Sequence, residues 1–155
     1  MLDQLLQEEF IQLKGHVLDW KDAIRVAAQP LLDNGAIEAE YVQAMIRSVE
    51  ELGPYIVIAP KIALPHARPE QGVKRMGMSL LTLKEAVPFS EKKEHEVQLI
   101  VVLAAVDDKS HLKALSQLSM LLSEGDNTDK LIKATDKEMI RRYIVAYSDE
   151  EGEDQ

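Results

Sequence analysis

The chain has no cysteine among its 155 residues. That excludes disulfides, a thiolate metal site and a cysteine nucleophile, and it agrees with a reducing compartment, the cytoplasm. No apolar run approaches the ~20 residues that a membrane-crossing helix needs, so no direct membrane insertion is expected. The opening residues, MLDQLLQEEF, lack a basic patch leading into an apolar stretch, and no secretory signal is expected there. Basic residues are scarce: 18 Lys and Arg stand against 27 Asp and Glu, a net charge of −9. An acidic chain is a poor match for nucleic acid, whose phosphates attract a basic face. A Gly-rich loop of the Walker or Rossmann kind is missing, which removes the usual nucleotide cradles. Only four histidines occur, none at the i, i+4 spacing of a helical zinc site, so neither metal nor cofactor is expected.

What is present reads as one globular domain over residues 1–147, with 46% hydrophobic and 29% charged residues and enough length for a real core. Residues 148–155, SDEEGEDQ, hold five acids and no base, and without them the body carries −4. This tail has nothing apolar to bury and is expected to be disordered. Asp19 is placed to cap a helix starting at Trp20, in which Trp20, Ala23, Ile24, Ala27 and Leu31 recur at helical spacing. Pro30 is expected to kink or end it. A second helix is expected over roughly 38–52, stopped by Gly53-Pro54. Strands are expected at 55–59, 76–83 and 97–106, the last almost wholly apolar, as in a central strand covered on both faces. AVPFSEKKEHE between the last two reads as a loop or hairpin arm. Further helices are expected after Ser110, over 128–133 and over 136–147. Helices before, between and after strands make an α/β domain, a central sheet flanked by helices.

The stretch KIALPHARPEQG, residues 61–72, concentrates the chemistry. Pro65 fixes its own φ and biases Leu64 toward extended geometry, so His66 sits on a stiff mount. Arg68 is two residues on and has the fork that holds an anion bidentately. The plain alternative is a packed histidine at a tight turn. His111 follows the most apolar strand and is placed in the first turn of the next helix, with Ser110 as its cap. Ligand crevices in α/β sheets lie beyond the carboxyl ends of strands, and a helix N-terminus offers free N–H groups to an anion. His16 and His95 read as surface residues. Asp107-Asp108 and Glu50-Glu51 read as solvated pairs, and Ser79 and Ser90 show no histidine partner in the sequence.

At GPYIVIAPKIALPHARPEQGVKRMGMSLLTL the chain resembles the enzyme IIA proteins of the mannitol/fructose superfamily in the phosphoenolpyruvate-dependent sugar phosphotransferase system. The resemblance covers roughly residues 18–147. It rests on an apolar strand running into Pro-His, here IALPHA, and on a downstream strand, loop, histidine and helix, here ending DDKSHLKALSQLSMLL. It implies a central mixed sheet flanked by helices. It further implies a phosphotransferase in which His66 accepts a phosphoryl group from the phosphocarrier protein HPr. His66 then passes that group to a cysteine of a IIB component, while His111 steadies it. Glu50 stands where mannitol- and fructose-type members usually carry an arginine. With Gly-Pro-Tyr and His-Ala-Arg-Pro-Glu, this looks more like the ascorbate-specific branch. Arg68 is then expected to supply the missing positive charge, and Glu50 to orient a histidine or Arg68. Ile62, Leu64, Val87 and Phe89 are expected as an apolar rim for transient partners. A nitrogen-type regulatory module is the alternative function, and a homodimer is compatible with the sequence.

Overall fold

The computed structural model describes residues 1–153 apart from Asp108 and Ser110, with side chains described as far as Ser148. In chain order the elements are α1 (Leu2–Leu5), β1 (Ile11–Gly15), α2 (Trp20–Asp33), α3 (Ala39–Leu52), β2 (Val57–Ala59) and β3 (Lys61–Ala63). They continue with β4 (Gly77–Pro88), β5 (Glu96–Ala104), α4 (Leu112–Ser123), α5 (Asn127–Lys133) and α6 (Lys137–Glu153). The strands form one mixed sheet in the order β1-β4-β5-β3-β2. β1 runs parallel to β4 and β3 parallel to β5, whereas β2–β3 and β4–β5 are antiparallel.

Two apolar layers explain why β5 carries so little polarity. Val97, Ile100, Val102 and Ala104 pack toward α2 and α3, while Leu99, Val101 and Leu103 pack toward α1, α4, α5 and α6. A strand buried on both faces needs apolar residues at successive positions. The flanking helices begin and hold as their sequences dictate. Asp19 accepts a 2.8 Å hydrogen bond from the Asp22 amide and caps α2. Pro30 does not end that helix, which runs on to Asp33. Proline removes the donor owed to the carbonyl four residues back. That carbonyl, on Val26, is instead served by Gln12 Nε2 from β1 at 2.7 Å.

Three features depart from the sequence reading, each for a local reason. β1 was not foreseen because it is short and only Ile11 in it is fully buried. The expected strand at 55–59 narrows to β2, and after a turn at Pro60, with Lys61 at φ 73°, the separate strand β3 runs on toward His66. The AVPFSEKKEHE segment forms the hairpin arm that the sequence allows, with β4 running on to Pro88 opposite Glu96 of β5. Finally, α6 continues to Glu153, past the expected end of the body. Ser148 is buried in it, and its hydroxyl accepts from the Asp3 amide and donates to the Ile144 carbonyl, both at 2.8 Å. Among the described residues no helix is long and apolar enough to cross a membrane.

The segment leaving β3 returns to the α2–α3 layer through Gly72, whose carbonyl accepts a 2.9 Å bond from the Glu38 amide just before α3. Gly72 has φ 132°, and a Cβ there would lie 3.0 Å from the Tyr41 nitrogen. Both the backbone conformation and the space call for glycine. Gly72→Ala is therefore expected to destabilise the fold by at least ~1 kcal/mol, read as a lower urea midpoint. An unchanged midpoint would contradict this close approach.

Candidate functional site

The site grows from the end of β3, where the chain runs Leu64-Pro65-His66-Ala67-Arg68. Each residue flanking His66 is anchored through its backbone. The Pro65 carbonyl accepts a 3.1 Å bond from the Leu103 amide at the end of β5. The Ala67 amide donates to the Tyr41 hydroxyl at 3.0 Å, and that hydroxyl donates to the Leu103 carbonyl at 2.7 Å. Tyr41 reaches in from α3 and is wholly buried. Burial pushes its phenol up to about 12, because the phenolate would lose its hydration there.

The imidazole has a contact of its own. His66 Nδ1 lies 2.7 Å from the Leu64 carbonyl. A carbonyl only accepts, so Nδ1 carries the proton. In the uncharged ring the lone pair then belongs to Nε2. The Tyr55 ring meets the imidazole edge-on, with centroids 5.6 Å apart and planes at 85°. The ring is half-buried at the wall of a cleft of about 530 Å³ that also includes Arg68 and His111.

Arg68 is exposed, and its backbone is fixed by Gln71: the Gln71 side chain accepts from the Arg68 amide at 3.3 Å, and the Gln71 amide donates to the Arg68 carbonyl at 3.0 Å. Its guanidinium makes no hydrogen bond or ion pair among the described residues and so is open to an anion. His111 occupies the N-cap of α4, one position before the first turn where the sequence put it. Its Nδ1 is buried without a hydrogen-bond partner among the described residues. The same cleft carries the carboxylates of Glu51 and Asp107. Among the described residues no three His, Asp or Glu side chains gather in a way that would hold a metal ion.

The structure thus brings His66, Arg68 and His111 into one cleft. Ser110 lies outside the described residues. Glu50 is a correction: it does not line the cleft but pairs with Lys21 on α2 at 2.9 Å. Its helix instead offers Ser48 and Glu51, because these share a face with Tyr41 and Glu50 does not. The expected rim is corrected too. Val87 and Phe89 are buried with α2 and α3, and Ile62 and Leu64 line a separate apolar groove against Leu115 and Leu118 of α4. The exposed apolar residues at or beside the cleft are Leu52, Tyr55, Val106 and Leu112. Ser90 does have a histidine partner, His95 Nδ1 at 2.6 Å, in a turn that does not line the cleft. Tyr41 escaped notice as a site residue because its periodicity marks it simply as core. Only the packed fold shows that its hydroxyl serves the histidine loop.

Comparison with known proteins agrees with this fold. Residues 4–147 match the family described as the phosphoenolpyruvate-dependent sugar phosphotransferase system, EIIA 2. The chain is 36% identical over 130 residues to the ascorbate-specific PTS system EIIA component of Escherichia coli K12, covering 83% of this chain and 84% of that protein. Among solved structures, it resembles the mannitol-specific cryptic phosphotransferase enzyme IIA CmtB of Escherichia coli with a TM-score of 0.83 and 35% identity, over 92% of this chain and 97% of the other. It also resembles the structure of the complex of enzyme IIA mannitol with phosphorylated enzyme IIB mannitol from Escherichia coli, with a TM-score of 0.76 and 26% identity over 92% and 99%.

The raised Tyr41 phenol predicts an alkaline weakness. Between its ordinary value of 10 and about 12, the unfolded chain loses this proton while the folded chain keeps it. The folded state then binds more protons, so stability falls as pH rises through that window and is fully present below it. Chemical denaturation from pH 9 to 12 is expected to show a smaller decline for Tyr41→Phe than for the wild type. Parallel declines would contradict the burial of this phenol.

Proposed function

The chain belongs to the phosphoenolpyruvate-dependent sugar phosphotransferase system EIIA 2 family, a family of phosphoryl carriers, and we propose that His66 is the residue that carries the group. The observation that carries this reading is the 2.7 Å contact of Nδ1 with the Leu64 carbonyl, which leaves Nε2 as the nucleophilic nitrogen. In the proposed step the Nε2 lone pair attacks the phosphorus of phosphohistidine on HPr. The new Nε2–P bond forms as the donor's P–N bond breaks, and that electron pair returns to the donor ring. Positive charge growing on the His66 ring is met by the Leu64 carbonyl through the Nδ1–H, a bond that strengthens as the ring charges. The second step reverses the roles. A cysteine thiolate of IIB attacks phosphorus, and the Nε2–P electrons return to His66.

Phosphoryl transfer asks for in-line positioning and stabilisation of three equatorial oxygens rather than further covalent chemistry. Arg68 is the cation proposed for that task, being unpaired and on the cleft wall. His111, whose ring also lines the cleft, is proposed to steady the transferred group. Ser110 is retained as a proposed support on sequence grounds alone. Leu52, Tyr55, Val106 and Leu112 supply an exposed apolar border on which HPr and IIB would dock in turn. A cytoplasmic location is proposed together with that role. The ascorbate branch is the proposed transport system, supported by the HARPE sequence and by the Escherichia coli ascorbate-specific relative.

The test uses the intact chain with phosphoenolpyruvate, enzyme I and HPr. It is expected to gain one phosphoryl mass, acid-labile and base-stable, on Nε2 of His66 as read by ³¹P and ¹⁵N spectra. His66→Ala is expected to gain none. His111→Ala and Arg68→Gln are expected to slow uptake by ~10-fold or more. Full labelling of His66→Ala, or phosphate on Nδ1, would overturn the assignment. Discharge to an ascorbate-type IIB but not a mannitol-type IIB would support the proposed branch, and the reverse would overturn it.

A further inference from the structure

A tyrosine that is wholly buried needs a reason for its hydroxyl, since phenylalanine would fill the same volume without a polar group to satisfy. Tyr41 has one. Its hydroxyl accepts the Ala67 N–H at 3.0 Å and donates to the Leu103 carbonyl at 2.7 Å. Leu103 also donates its own N–H to the Pro65 carbonyl at 3.1 Å. Both residues flanking His66 are therefore tied to Leu103, directly on the upstream side and through one hydroxyl on the downstream side. His66 is the only residue between the two ties.

The far end of the loop packs against the same residue. Gly72 approaches Tyr41 so closely that a Cβ would lie 3.0 Å from the Tyr41 nitrogen. The loop from Pro65 to Gly72 is thus held near its start by the Tyr41 hydroxyl at Ala67 and at its end by the Glu38 N–H bond to the Gly72 carbonyl, where it packs against Tyr41. The His66 backbone sets where the ring hangs, and the ring's own rotation, held by the Nδ1 contact with the Leu64 carbonyl, sets which nitrogen is presented to the cleft.

The geometry points to Tyr41 as a positioning residue for phosphoryl transfer: its hydroxyl locks the backbone after His66 so that Nε2 is aimed along one line of attack. This rests on the carrier function proposed above. Tyr41 touches neither donor nor phosphate in this role. It acts through Ala67, and its effect falls on the rate of the chemical step rather than on docking. Loss of the hydroxyl leaves the upstream tie in place and frees the downstream one, so the ring samples orientations that are not productive.

The experiment compares the full-length wild type, Tyr41→Phe and Val49→Ala, a truncation in the same helix that does not reach the cleft. Single-turnover phosphorylation from phospho-HPr is measured over a range of donor concentrations, under conditions where all three proteins are folded. Tyr41→Phe is expected to lower the limiting rate ~10- to 100-fold with the half-saturating donor concentration unchanged. Val49→Ala is expected to keep the wild-type rate despite its own loss of stability. In the unphosphorylated proteins, exchange of the Ala67 amide proton is expected to accelerate in Tyr41→Phe alone. A wild-type rate in Tyr41→Phe, or an equal loss in Val49→Ala, would overturn the positioning role. If wild-type His66 took up no phosphate, the carrier reading would fail separately. The amide-exchange comparison would still decide whether Tyr41 locks the loop, since equal Ala67 protection in all three proteins would overturn it.

Discussion

The hydroxyl of Tyr41 joins three parts of the chain that lie far apart in sequence: α3, the loop after β3 and the end of β5. Everything proposed for the site depends on that junction. The loop carries His66, the strand end supplies a fixed reference, and the helix holds the two together from the core. Because the hydroxyl is shielded from water, each of its bonds replaces one that solvent cannot provide. Breaking the junction would strand a buried carbonyl and a partly buried amide, at ~1–3 kcal/mol for each unsatisfied group. A flexible loop could carry the same residues, but it would not keep one imidazole nitrogen occupied and the other free.

The electrostatics of the cleft suit a group that must arrive and leave. Arg68 brings one unpaired cation, while Glu51 and Asp107 place carboxylates on the same wall. A site built for tight anion retention would be expected to collect cations and exclude carboxylates. Here attraction and repulsion are mixed. That fits a carrier whose bound phosphoryl group must remain easy to pass on, and it fits the exposed apolar residues beside the cleft, which favour brief contacts with successive partners.

Much of this was legible in the sequence, and what was not has physical causes. The continuous apolar run of β5 announced a strand covered on both faces, and Asp19 announced the start of α2. The Pro-His-Ala-Arg stretch stood out because proline stiffens the mount of a rare histidine, and His111 stood out by following the central strand. By contrast, β1 and β3 are short and depend on pairing with neighbours rather than on their own pattern. Glu50 looked like a site residue by position along the helix, yet rotation by one residue turns it toward Lys21 and brings Glu51 to the cleft. Tyr41 falls on the apolar side of α3 and is core. Its second role depends on contacts across 26 and 62 positions, which no local pattern records.

The central claim is that the folded, unphosphorylated protein already holds His66 with its proton on Nδ1 and its lone pair on Nε2. Long-range ¹H–¹⁵N correlation of the imidazole rings in the wild-type protein, at a pH where the ring is neutral, tests it most directly. The account predicts a single His66 tautomer whose Nδ1 has the shift of a protonated nitrogen and whose Nε2 has that of an unprotonated one. A His66 signal showing the proton on Nε2, or an averaged mixture of the two tautomers, would contradict it.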